Sequence, residues 1–158
     1  MNPEIALLLR IIDEAYEKKA WHGPNLRGSL RGVTAQEAVW RPGKGRHNIQ
    51  EIVVHAAYWK YAVRRRLRGE KRGSFPYKGS NWFARPGLGK SPHLTEDLKL
   101  LGEEHKLLRE AIAAIPISEL HATTGRSKVS NLTLICGIAS HDIYHAAQIQ
   151  LLKRLQSS

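Results

Sequence analysis

The stretch NLTLICGIASHDIYHAAQIQLLKR, residues 131–154, decides the fold class. Leu134, Ile138, His141, His145, Ile149 and Leu152 recur in it by steps of three and four, the spacing that lines one face of an α-helix. Ser130 or Asn131 supplies the expected N-cap, and Lys153 and Arg154 sit at the end where cations complement the helix dipole. A single apolar stripe cannot be buried by one helix alone, so partner helices are required.

Working back along the chain, three more long helices are predicted. Leu94, Leu98, Leu101, His105, Leu108, Ile112 and Ile115 alternate steps of four and three until Pro116 stops the pattern. Asn48 with Glu51 forms a capping box, followed by Ile49, Ile52, Val53, His55, Ala56, Trp59 and Val63. The first helix opens with Asn2 as cap and Pro3 at the first helical position, then buries Ile5, Leu8, Leu9, Ile12 and Tyr16. Shorter helical pieces are expected after Pro24, through Leu26 and Leu30, and at Thr34-Ala-Gln-Glu37. No run alternates cleanly enough for a strand. The segment GSFPYKGSNWFARPGLGKSPH has no sustained period, and a crossover of that length is as readily functional as a simple aromatic tether. The expectation is an all-α four-helix bundle, one domain over residues 1–158, with the long crossover between helices two and three.

The totals narrow the function. No segment approaches a membrane span, and the acidic N-terminal stretch lacks the pattern of a secretory signal, so a cytoplasmic location is expected. A lone Cys136 excludes an internal disulfide framework and a zinc ribbon. The net charge of +11 points to nucleic acid, an anionic surface or small acidic substrates. Its densest cluster is KYAVRRRLRGEKR, from Lys60 to Arg72.

Histidine placement is the strongest chemical signal. His22, His47, His93 and His121 lie in or near turns, where a surface role is the default. His55, His105, His141 and His145 instead replace apolar residues on core-facing stripes, and each buried imidazole needs partners for both nitrogens. His141 and His145 differ by about 40° around a helix, so both rings can reach one metal ion. A third ligand from another helix would leave a coordination position open, as in catalytic zinc sites. His55 is the best-placed third ligand and His105 the reserve, or a residue that orients a ligand through a hydrogen bond.

Rival readings are weaker. HDIYH carries Asp142 where HExxH has glutamate, and too little chain follows His145 for a metalloprotease. A di-iron carboxylate bundle needs Glu-x-x-His pairs, which the chain lacks. Cys136 and Ser140 lie off the histidine stripe and read as small packing residues, and Asp142 reads as a surface charge. The glycines of GSNWFARPGLGK lack phosphate-loop spacing.

WHGPNL (21–26), RPGKGRHNIQEIVVHAAYWKYAVRRRL (41–67) and GIASHDIYHAAQIQLLKR (137–154) together resemble the DinB/YfiT-like superfamily, with the likeness running from about residue 4 to 154. The resemblance implies small bacterial metal-binding four-helix bundles in an up-down-down-up arrangement. It implies a divalent metal, zinc or nickel, on the positions of His55, His141 and His145. HAAQ stands where many relatives read HxGQ, so Ala147 replaces a glycine without touching a ligand position. Some relatives look like S-transferases of low-molecular-weight thiols, others like isomerases or hydrolases, and many pair as homodimers.

The function expected is therefore a metal-dependent enzyme that activates a thiol or a water, with a small-molecule substrate and Gln148 as the candidate catalytic residue. The basic excess favours an acidic thiol through steering. Trp82 in the crossover is a candidate for substrate choice, while Trp59 reads as core packing. A non-catalytic metal-binding protein and a basic nucleic-acid-binding bundle are the alternatives. The last carries the lower weight, because no helix-turn-helix or RNA-binding motif accompanies Lys60 to Arg72.

Overall fold

The computed structural model describes residues 1–90, 93–123 and 128–157. Four long helices carry the chain: α1 (Pro3–Tyr16), α4 (Ile49–Leu67), α5 (Leu94–Ala113) and α6 (Asn131–Gln156). Two short ones, α2 (Leu26–Ser29) and α3 (Ala35–Val39), fill the link between α1 and α4, and a 3-10 turn (Ile117–Glu119) follows α5. Among the described residues there is no strand; one isolated antiparallel bridge joins Thr123 to Ser130. No described helix is long and apolar enough to cross a membrane.

Each start is chemically marked. The side chains of Asn2, Asn25, Thr34, Asn48 and Ser130 accept from backbone N–H groups of the first turn of α1, α2, α3, α4 and α6. Each such cap is worth about 1 kcal/mol against alanine. Thr34–Glu37 and Asn48–Glu51 are complete capping boxes.

The predicted stripes meet in two apolar clusters. The first joins Ile5, Leu8 and Ile12 of α1 with Val63 of α4, Leu108 and Ile112 of α5, and Ile135 and Ile138 of α6. The second joins Ile49, Val53 and Ala56 of α4 with Leu101 of α5 and Ala146 and Ile149 of α6, closed by Leu26 and Leu30 at α2. Between these sets the helices bury charged side chains. Lys60 of α4 pairs with Asp142 of α6, and both are fully buried. Arg64 reaches Glu104 of α5 at 3.2 Å and Glu70 at 3.0 Å. A layer of buried charge thus separates the two halves of the core.

Three expectations are overturned here. Asp142 is not a surface charge, because its partner Lys60 enters the interior with it. The cluster from Lys60 to Arg72, the basis of the nucleic-acid alternative, does not present all its cations outward, since Lys60 and Arg64 point inward to carboxylates. Cys136 and Ser140 are exposed rather than packed.

The crossover, residues 68–93, is fastened to the helices at several points. Buried Asp97 on α5 accepts from Gln50, from the Tyr77 hydroxyl and from Arg85, the last through bonds of 2.8 and 3.0 Å. Phe75 and Phe83 pack with Tyr58 of α4, and Tyr61 takes the Gly73 N–H on its hydroxyl at 3.1 Å. These contacts hold Asn81 and Trp82 over α4.

Candidate metal centre

His55 lies on α4, and His141 and His145 lie one turn apart on α6. The packing of α4 on α6 brings their imidazoles together, and His105 is not among them. His105 stacks on Tyr16 at 3.8 Å and sits 3.6 Å from Asp13, away from the cluster. The reserve ligand of the sequence reading therefore belongs to another part of the protein.

Each Nε2 of the trio faces the same point. His141 Nε2 is 3.1 Å from both His55 Nε2 and His145 Nε2. The outer nitrogens explain why. His55 Nδ1–H donates to the Asn81 carbonyl at 2.8 Å, and His145 Nδ1–H donates to Gln148 Oε1 at 2.6 Å. Those donations place the ring protons outward and leave bare lone pairs at Nε2 of both residues. His141 Nε2 faces both lone pairs and holds at most one proton, so at least one of the two contacts sets acceptor against acceptor unless a cation stands between them. Ligand nitrogens at about 2.0–2.1 Å from a tetrahedral metal lie about 3.3 Å apart, close to the two 3.1 Å contacts of His141, and all three ligand atoms lie within 4.8 Å of one another. These residues fit a divalent metal, and among the described residues this trio is the group so arranged.

The electrostatics agree. Burial drives the His55 imidazole down to about 4 and His141 down to about 3, and it lowers His145 as well. For His55 the Asn81 hydrogen bond opposes the shift, while neighbouring histidines add to the lowering at both His55 and His141. All three are neutral at pH 7, the state that ligation requires.

The surroundings include residues that periodicity does not single out. Trp82 lies flat between two imidazoles, 3.8 Å from the His55 ring and 3.6 Å from the His47 ring. His47 in turn touches Glu51 at 2.9 Å, which Arg41 also grips. His47, read from sequence as a turn histidine, thus braces the back of the site. Asn81 does two jobs from a left-handed backbone (φ 65°): its carbonyl orients His55, and its side chain accepts the Trp59 indole N–H at 3.0 Å. Asparagine is one of the few residues that tolerate that conformation, and this is the signal that could have found it. Trp59 packs partly against the first apolar cluster and lies edge-on to His55 and His141. Gln148 spends its carbonyl oxygen on His145, so its contact is with a ligand residue.

Comparison with known proteins gives one match. A family model described as the DinB superfamily covers residues 20–149. No curated protein matches the chain, and no solved structure does. The matched span includes His55, His141, His145 and every residue that supports them, from Arg41 to Gln148. By this match the chain belongs to the DinB superfamily.

Proposed function

We propose that the protein is a metal-dependent enzyme in which His55, His141 and His145 hold one divalent cation, zinc or nickel, and a small substrate supplies a thiol or reacts with water. The observation that carries this reading is the convergence of three Nε2 atoms at 3.1 Å contacts, with two Nδ1 protons turned outward. When bound, such a cation lowers the pKa of a coordinated thiol or water towards neutrality.

The protein's own groups set the stage for that chemistry. Asn81 and Gln148 fix the tautomers and ring angles of His55 and His145. Trp82 covers one face of His55 and keeps water from it, while His141 retains partial access to solvent. Three neutral ligands leave the full charge of the cation to act on the substrate. An acidic low-molecular-weight thiol suits the net charge of +11, which steers anions to the surface. The inward turn of Lys60 and Arg64 weakens the nucleic-acid alternative further.

Family membership and the two core clusters also support the up-down-down-up order. α6 enters the first cluster with its N-terminal half and α1 runs through it, with only Tyr16 at its C-terminal end in the second, whereas α4 and α5 enter the first cluster with their C-terminal halves.

Metal content of protein purified without a nickel column tests the reading, in wild type and in His55→Ala. The expected result is about one zinc or nickel per chain in wild type and none in the variant, with helical circular dichroism unchanged. Loaded wild type is then assayed for thiol transfer to an electrophile and for ester or amide hydrolysis. Wild type that takes up no metal even on reconstitution overturns the proposal; a loaded protein inert in both assays leaves a metal-binding protein without catalysis.

A further inference from the structure

A cavity of about 1230 Å³ opens between the C-terminal end of α1, the loop after it, α2 and α5 from Leu98 to Arg109. None of the three clustered histidines lines it, nor do Asn81, Trp82 or Gln148. Its walls are of two kinds. Leu30, Leu98, Leu101 and the ring of Tyr16 give an apolar floor. Around them stand seven cationic side chains and two carboxylates.

The carboxylates are already engaged. Asp13 takes Arg109 through bonds of 2.5 and 3.0 Å, and Glu17 takes Arg27 at 2.5 Å. Lys18, Lys19, Arg31 and Lys106 have no carboxylate partner among the described residues, and Lys99 has only a loose 3.9 Å approach to Glu103. Five cations at one mouth without matching charge are a standing attraction for a multivalent anion.

Two further features mark the cavity as a site. His105 lines it at 3% exposure, and neither of its ring nitrogens has a hydrogen-bond partner among the described residues. A buried imidazole left this way loses the solvation of both polar atoms. Gly102 is the second. It lies in the interior of α5 with ordinary helical backbone, where glycine costs about 0.5–1 kcal/mol against alanine. A Cβ there would meet only the Tyr16 hydroxyl, at 3.7 Å, and would project into the cavity. No turn requires this glycine, and its missing side chain leaves open space beside the Tyr16 hydroxyl.

We propose that this cavity is a second ligand site, distinct from the histidine cluster, which takes a phosphate monoester carrying an apolar or aromatic group. The phosphate dianion sits among Lys18, Lys19, Arg31, Lys99 and Lys106, since the excess positive charge suits a dianion better than a single carboxylate. The organic group lies against Leu30, Leu98 and Leu101 in the space that Gly102 leaves open beside the Tyr16 hydroxyl, with His105 as the polar group at the back.

Calorimetric titration of the metal-loaded protein with 1-naphthyl phosphate, 1-naphthol and inorganic phosphate tests this at fixed salt. The expected result is one naphthyl phosphate per chain, bound at least about ten-fold more tightly than either fragment, a gap of about 1.4 kcal/mol. Gly102→Leu, which fills the space with a good helix former, is expected to weaken it at least ten-fold. Lys99→Glu with Lys106→Glu, on exposed positions that leave the core intact, is expected to do the same. Metal content is expected to stay at the wild-type level in both variants. Sedimentation with vesicles containing phosphatidic acid separates the sources: co-pelleting lost in Gly102→Leu makes the ligand a lipid headgroup, and no pelleting makes it a soluble ester. The proposal is overturned if wild type does not bind naphthyl phosphate, if inorganic phosphate binds equally well, or if both variants bind it unchanged.

Discussion

Replacing Lys60 by methionine isolates the energetics of the buried charge layer. Methionine keeps most of the stem volume and removes the cation. Asp142 is then left fully buried with no partner for either oxygen, since Oδ1 already lacks one among the described residues. Breaking a buried pair by deleting one member costs about 3–5 kcal/mol, because the surviving charge keeps its desolvation penalty. For a chain of this size that is about 6–20 °C in Tm. Burial already pushes the Asp142 carboxyl upward, against the lowering pull of Lys60. Without the lysine the folded carboxyl titrates still higher, above its unfolded value. Such a group contributes stability below its unfolded pKa and loses it as pH rises through the folded one. The deficit of Lys60→Met is therefore expected to shrink as pH is lowered from neutrality towards the range where the folded carboxyl takes up its proton. Urea melts as a function of pH, with chelator present so that metal binding does not enter, read this directly. The double variant Lys60→Met with Asp142→Asn is expected to recover most of the loss, since neither position then leaves an unmatched buried charge. A single variant within 1 kcal/mol of wild type, or a double variant no more stable than the single, would refute the reasoning.

Three further outcomes are expected. Gln148→Leu deprives the His145 Nδ1–H of its acceptor, and zinc affinity by competition with a chromophoric chelator should fall about 10–100-fold; Gln148→Glu, which keeps an acceptor, should not fall with it. Asn81→Gly keeps the left-handed backbone and the carbonyl bond to His55 and should retain metal, whereas Asn81→Val forces a β-branched residue into φ 65° and should weaken metal binding together with local stability; equal affinities in the two variants would contradict this. Metal-stripped protein should lose stability as pH falls below 6.5, since the unfolded chain takes up protons there that buried His105, His55 and His141 refuse until far lower pH. The slope is up to about 1.4 kcal/mol per pH unit for each such histidine, and urea midpoints that stay flat from pH 7 to pH 5 would contradict the depressed values.

The long helices were legible in the sequence because their buried faces repeat at helical spacing. Ile5 to Tyr16, Ile49 to Val63, Leu94 to Ile112 and Leu134 to Leu152 land on the interior, and their starts are marked by Asn2, Asn48 and Ser130. The three clustered histidines were legible for the same reason: a polar residue on an apolar stripe is conspicuous. Asp142 was not, because it lies about 100° from His141 around α6. On a helix 26 residues long and wrapped on several sides, a second face is buried too. That burial depends on Lys60, 82 residues away, and no local pattern announces the partner. His47 and Asn81 were hidden differently. Both sit in segments without a period, and their positions are fixed by Trp82 and by the network about Asp97. Periodicity finds what a helix faces inward and is silent on what a loop lays across it.

The arrangement of protons around the trio bears on stability as well as function. With Nδ1 protons committed to Asn81 and Gln148, His55 and His145 each offer a lone pair to His141 Nε2, which carries at most one proton. One of the two 3.1 Å contacts is therefore acceptor against acceptor whenever no cation is present. Acidification relieves this poorly, because burial opposes charging any of the three rings. A divalent cation held by His55, His141 and His145 would meet all three lone pairs and would tie α4 to α6 near the Lys60–Asp142 pair. Binding to the folded chain alone then raises stability as RT ln(1 + [M]/Kd), about 4 kcal/mol at a thousand-fold excess over Kd. Wild type should accordingly gain several degrees in Tm on addition of zinc, and His55→Ala should gain almost nothing. An equal gain in the two proteins would place the cation elsewhere and remove the trio from the account.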